Sequence, residues 1–87
     1  MDLSEAREHI RAVDEEMAEL FVRRMEAVKG VAAYKQERGL PVEDKEQEAR
    51  VIEGRGKLIG DPQLRSYYVQ FLQSTMDISK SWQHRLM

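Results

Sequence analysis

Apolar residues return every seven positions along the N-terminal part of the chain. Leu3, Ile10, Met17 and Val31 form one row, and Ala6, Val13, Leu20, Ala27 and Tyr34 form the next. A repeat of this length marks a helix that packs lengthwise against another helix. It predicts a first helix starting at Asp2 or Ser4 and running to about Arg38. Asp2 followed by Glu5 has capping-box spacing at its start, and Gly39 and Pro41 stop it. Arg24 takes the one place in the first row where an apolar residue is missing.

Glycine and proline gather at two places only, ERGLPVED and GKLIGDPQ, which divide the chain into three helical segments. The second segment runs from about Glu43 to Leu58. It is intrinsically weak, because Gly54 and Gly56 each cost about 1 kcal/mol relative to alanine inside a helix. Gly60 then reads as a helix stop, Asp61 as an N-cap and Pro62 as a first-turn residue. The third helix continues to about Leu86, and Leu64, Tyr68, Phe71, Thr75, Ile78, Trp82 and Leu86 give it an apolar side at three-and-four spacing. No internal repeat or low-complexity segment interrupts the pattern. The fold class expected is therefore all-α, a single domain over residues 1–87 with a long first helix, a short second and a medium-long third.

A first helix of about 36 residues is about 54 Å long, whereas a compact chain of this length has a radius of gyration of about 12 Å. Such a helix overhangs the rest of its own chain. An apolar row that continues into the overhang needs a second copy to cover it, which predicts a two-fold homodimer. Parallel pairing would set Arg24 against its symmetry mate at low dielectric, so antiparallel pairing is favoured.

Composition narrows the function. With 41% hydrophobic and 34% charged residues the chain is globular rather than disordered, and a net charge of -2 gives no positive field for nucleic acid or an anionic membrane. Any anion site must be local. There is no cysteine, and His9 and His84 form no ligand pair, so neither a metal site nor a cofactor is expected. A charged N-terminus and the lack of any long apolar run predict a cytoplasmic protein.

Cations on an apolar stripe are the local feature that stands out. Arg24 and Lys35 lie about 16 Å apart along the helix axis and within about 20° of one face, close enough for two long side chains to share a small ligand. Arg7 is near that face but about 25 Å from Arg24, within reach only across an antiparallel two-fold. Cations brought together in a seam require carboxylates or an anionic ligand to compensate them. Each also has a plainer explanation: Arg24 as a residue that sets helix register, Lys35 as a complement to a helix C-terminus, and Arg7 as a solvated partner of a glutamate. Asp44 and Glu48 lie one turn apart with Gln47 beside them. Asp44 and Gln47 also fit a capping box, and Glu48 fits a surface pair with Lys45 or Arg50. Ser79 and Gln83 are one turn apart beside Trp82, as either site residues or boundary positions.

Taken together, R-E-x-I at 7–10, R-R-M at 23–25, Lys35, P-V-x-D at 41–44, Glu48 and the S-x-x-x-Q of Ser79 and Gln83 resemble the all-helical class of chorismate mutases over essentially the whole chain. The resemblance implies an intertwined homodimer of three-helix protomers that converts chorismate to prephenate in aromatic amino acid biosynthesis. It implies that Arg7, donated by the partner, and Arg24 bind substrate carboxylates, and that Lys35 contacts a carboxylate and the ether oxygen. Asp44 and Glu48 would face the ring hydroxyl, with Glu48 making the direct hydrogen bond. Ser79 would help hold a carboxylate, and Gln83 would donate to the ether oxygen opposite Lys35. Where this family commonly has arginine the chain has Gln47, which supplies a hydrogen bond without charge. An isochorismate pyruvate lyase on the same fold and a non-catalytic helical dimerisation or regulatory module are the alternatives.

Overall fold

Each of the three helices opens on an aspartate. In the computed structural model, which describes all 87 residues, α1 spans Leu3–Glu37, α2 Lys45–Gly56 and α3 Pro62–Leu86, with no strand between them. The Asp2, Asp44 and Asp61 carboxylates accept from the backbone N–H groups of Glu5 (2.8 Å), Gln47 (3.1 Å) and Gln63 (2.9 Å). These bonds satisfy donors that the first turn of a helix leaves unpaired. The expected helix order is observed. The second helix is trimmed at both ends, because Asp44 acts as cap rather than as helix, and the cap at the other end is Lys57.

The end of α1 is fixed by a Schellman motif. Leu40 N–H donates to the Lys35 carbonyl at 2.8 Å and Gly39 N–H to the Gln36 carbonyl at 3.3 Å, with Gly39 at φ +63°. Only glycine adopts that conformation without cost, so the chain reverses here and delivers Val42 and Asp44 back toward Lys35. At the other corner the Arg65 guanidinium donates to the Ile59 carbonyl at 2.9 Å, tying the turn to the start of α3. Gly56 is buried, and a Cβ there would stand 3.4 Å from Val69 Cγ2, so its small size serves the approach of α2 to α3.

α3 packs against both α1 and α2, which do not pack closely on each other. The gap between them, floored by α3, becomes the pocket described below. Val28 and Ala32 of α1, Val42 of the first turn and Leu72 and Met76 of α3 form the small apolar core. Two expectations about faces change. On α3 the buried row is Leu72, Met76, Ser79 and Gln83, one residue and therefore about 100° round from the anticipated apolar side. Tyr68, Thr75 and Trp82 are half-buried at the edge of that row, whereas Leu64, Phe71, Ile78 and Leu86 remain exposed. On α1 neither seven-residue row is buried within the chain: Leu3, Ile10, Val13, Met17 and Leu20 are all exposed. The intrachain face is chosen by contact with the other two helices, and those contacts fall on the C-terminal half of α1. Its N-terminal half projects beyond them, giving a long axis of 53 Å and a radius of gyration of 15.8 Å. No helix is long and apolar enough to cross a membrane.

Candidate functional site

A cavity of about 180 Å³ opens between the three helices. α1 contributes Arg24 and Lys35 to its wall, because positions 24, 28, 31 and 35 fall on one face of a helix, with Val28 and Val31 between the two cations. The turn after α1 adds Val42, and the first turn of α2 adds Asp44, Gln47 and Glu48. α3 closes the cavity with Met76, Ser79, Lys80 and Gln83, again a single helical face. Apolar and charged groups alternate around the wall, as expected for a small polar ligand held in a partly dry site.

The half-buried Arg24 is anchored from below. One of its amino groups, Nη1, donates to the Ser79 hydroxyl and, at 3.4 Å, to the Thr75 carbonyl. Ser79 in turn donates to the Thr75 carbonyl at 2.7 Å, so the hydroxyl orients its lone pairs toward the guanidinium. Burial lowers the Arg24 pKa, and the positive charge of Arg55 across the cavity lowers it further. No carboxylate lies within ion-pair distance of Arg24, which leaves its charge available to a ligand. At the other side the Lys35 ammonium donates to the Val42 carbonyl at 2.8 Å, with two further protons free. That bond ties the position of the ammonium to the Gly39 reversal.

Glu48 is not the surface partner of Lys45 or Arg50. It pairs with Lys80 at 2.8 Å, both side chains being about one-fifth exposed. Lys80 also meets Glu43 at 3.3 Å and Asp77 at 3.6 Å. The hydrogen bond with Glu48 is the main cause that raises the Lys80 pKa well above the ordinary lysine range, with Glu43 adding to it. Asp44 lines the cavity while its carboxylate caps α2, so capping and pocket lining are one placement rather than two alternatives. Gln47 receives the Arg50 guanidinium on Oε1 at 3.1 and 3.2 Å, which holds its amide at the cavity edge. Gln83 is buried, and its Oε1 has no hydrogen-bond partner in the chain. Its amide is therefore the one uncommitted neutral polar group in the wall.

Seven of the eight anticipated site residues thus converge on one cavity: Arg24, Lys35, Asp44, Gln47, Glu48, Ser79 and Gln83. Arg7 does not join them and stands on the projecting half of α1. Two cations in the wall, Arg55 and Lys80, were not anticipated. Both continue patterns visible in the sequence, Arg55 at four-residue steps from Gln47 and Val51, and Lys80 four residues from Met76 and three from Gln83.

A family model described as chorismate mutase type II matches residues 6–84, a span that takes in α2, all but the outer ends of α1 and α3, and every residue named in the cavity wall. The chain belongs to the chorismate mutase type II family. No curated protein and no solved structure matches the chain. Membership agrees with the resemblance of the motifs and makes chorismate, a dicarboxylate, the substrate that the family name implies. For a chorismate mutase an acid–base dyad or nucleophile is not needed, since the rearrangement is unimolecular. The wall carries fixed cations, an uncommitted amide and apolar surface.

Proposed function

We propose that the protein catalyses the rearrangement of chorismate to prephenate in the cavity between its three helices. One observation carries the assignment: in a chain of this family, Arg24, Lys35 and the Gln83 amide face a single cavity from α1 and α3. In the reaction one carbon–oxygen bond breaks as one carbon–carbon bond forms, and no proton or electron enters or leaves. Rate enhancement then comes from holding the flexible substrate in its folded, reactive shape and from donors directed at the ether oxygen as negative charge develops there. Arg24, braced by Ser79, would hold one carboxylate. Lys35 and Gln83 would donate to the ether oxygen, Lys35 also touching a carboxylate. Glu48, with Asp44 beside it, would accept from the ring hydroxyl, and Gln47 would offer its amide at the rim.

The assembly completes this reading. The exposed row Leu3, Ile10, Val13, Met17 and Leu20 on the projecting half of α1 is a long apolar surface of the kind that soluble chains cover by association. An intertwined, antiparallel two-fold homodimer would cover it and would bring Arg7 of each protomer to the cavity of the other, supplying a second carboxylate contact. Incubation of the purified protein with chorismate tests the function directly. Loss of chorismate absorbance with formation of prephenate is the expected result. A flat trace at high protein concentration would refute it, and salicylate plus pyruvate from isochorismate would assign the lyase reaction instead.

A further inference from the structure

A second guanidinium, solvent-exposed, borders the cavity and has no partner within the chain. Arg55 sits in the last turn of α2 and lines the same cavity as Arg24. The cations nearest it in sequence are engaged: Arg50 donates to Gln47, and Lys57, the cap of α2, lies 3.9 Å from Glu53. The Arg55 side chain has neither a hydrogen bond nor an ionic partner within the chain, and it shares that lack of a carboxylate with Arg24. Two unneutralised guanidinium groups facing one small cleft repel each other, and Arg55 adds to burial in lowering the Arg24 pKa. An anion placed between them converts that repulsion into two attractions.

Charge balance in the wall points the same way. Arg24, Lys35, Arg55 and Lys80 face Asp44 and Glu48, so four cations stand against two carboxylates. Within one chain the surplus is two positive charges, and Arg55 carries one of them. Because Lys80 is already held by Glu48 at 2.8 Å, the free surplus is concentrated on Arg24, Arg55 and Lys35.

We propose that Arg55 is a substrate-binding residue that, together with Arg24, clamps one carboxylate of the dianionic substrate from the α2 side of the cavity. The inference rests on the chorismate reading of the same site. It differs from a purely structural role for Arg55 as a cation complementing the C-terminus of α2, which would act on stability and not on substrate.

The test compares the full-length protein with Arg55→Met and Arg55→Lys, measuring kcat and KM for chorismate, prephenate binding by calorimetry, and Tm with and without prephenate. Removal of a charged hydrogen bond to a carboxylate is expected to raise KM and weaken prephenate binding by about tenfold or more. The effect on kcat should be smaller, because a carboxylate clamp acts on ground state and transition state alike. Arg55→Lys should recover part of the affinity, and the ligand-free Tm of neither variant should fall below that of the parent, since the side chain has no partner to lose. A KM and prephenate affinity unchanged in Arg55→Met, while the parent is active, would overturn this role and leave the mutase assignment intact. A lowered Tm with unchanged affinity would do the same and assign Arg55 to the helix end. A parent protein that neither consumes chorismate nor binds prephenate would overturn the site reading, and this inference with it.

Discussion

Lys35 shows how a single residue is placed for chemistry by its surroundings. Its ammonium is oriented by the Val42 carbonyl, and that carbonyl is delivered by the reversal at Gly39. If the ammonium donates to the ether oxygen in the transition state, Lys35→Ala should lower turnover by about a hundredfold, on the order of 3 kcal/mol, with the fold intact by circular dichroism. Near-normal turnover would remove it from the mechanism. Arg24→Leu separates the two explanations of the interrupted stripe. A register-setting arginine predicts a more stable protein with unaltered ligand affinity, whereas a carboxylate-binding one predicts that prephenate binding is lost. Lys80 makes a prediction in pH. Its folded-state pKa lies above the ordinary value of 10.5, so the stability it contributes is complete below 10.5 and is lost as pH rises through the higher folded value. The Tm difference between the parent and Lys80→Met should therefore be the same at about pH 7 and about pH 9, and should shrink only in stronger alkali. A difference that vanishes by about pH 9 would mean that the contacts with Glu48 and Glu43 do not hold the ammonium as described.

At the scale of elements, the caps and stops were legible because they are local. Asp2, Asp44 and Asp61 bond donors two or three residues away, and the Gly39 reversal needs only its own φ, so short-range sequence suffices to place them. The reversal has a measurable consequence. Gly39→Ala should cost about 1 kcal/mol in urea unfolding, because the left-handed conformation is strained for any residue with a Cβ. Gly60→Ala, at a position with open space around it and no left-handed φ, should stay within about 0.5 kcal/mol. Equal effects at the two glycines would contradict the helix-end geometry. Which face of α3 turns inward was not legible. Periodicity finds the most apolar row, Leu64 to Leu86, but the chain buries the neighbouring row that contains Ser79 and Gln83, because that face lines a polar cavity.

The whole molecule has a core too small for its length. Only Val28, Ala32, Val42, Leu72 and Met76 are buried apolar residues, while most large apolar side chains of α1 and several of α3 face outward. The conformational-entropy cost of folding rises with every ordered residue, and five buried apolar side chains offset little of it. A stable homodimer is therefore expected: sedimentation equilibrium should give twice the 10.2 kDa chain mass, with a Tm that rises with protein concentration. Leu20→Asp, on the exposed row, should dissociate the assembly and lower Tm and activity together. A monomer of undiminished stability would contradict both the assembly and the cross-chain role of Arg7. Arg7 could be singled out from the sequence but not placed, because its proposed destination is a cavity in another copy of the chain.

The sequence by itself determined the three helices, their caps, the turn at Gly39 and the family, since each depends on neighbours within a few turns or on motifs whose spacing survives in one dimension. It also marked seven of the residues that meet in the cavity. Only the tertiary structure decided that α1 and α2 stand apart over α3, that Glu48 is held by Lys80, and that Arg55 shares a cleft with Arg24. Those pairings join residues 32 and 31 positions apart in the chain, respectively, and are set by how three helices pack, which no local periodicity encodes.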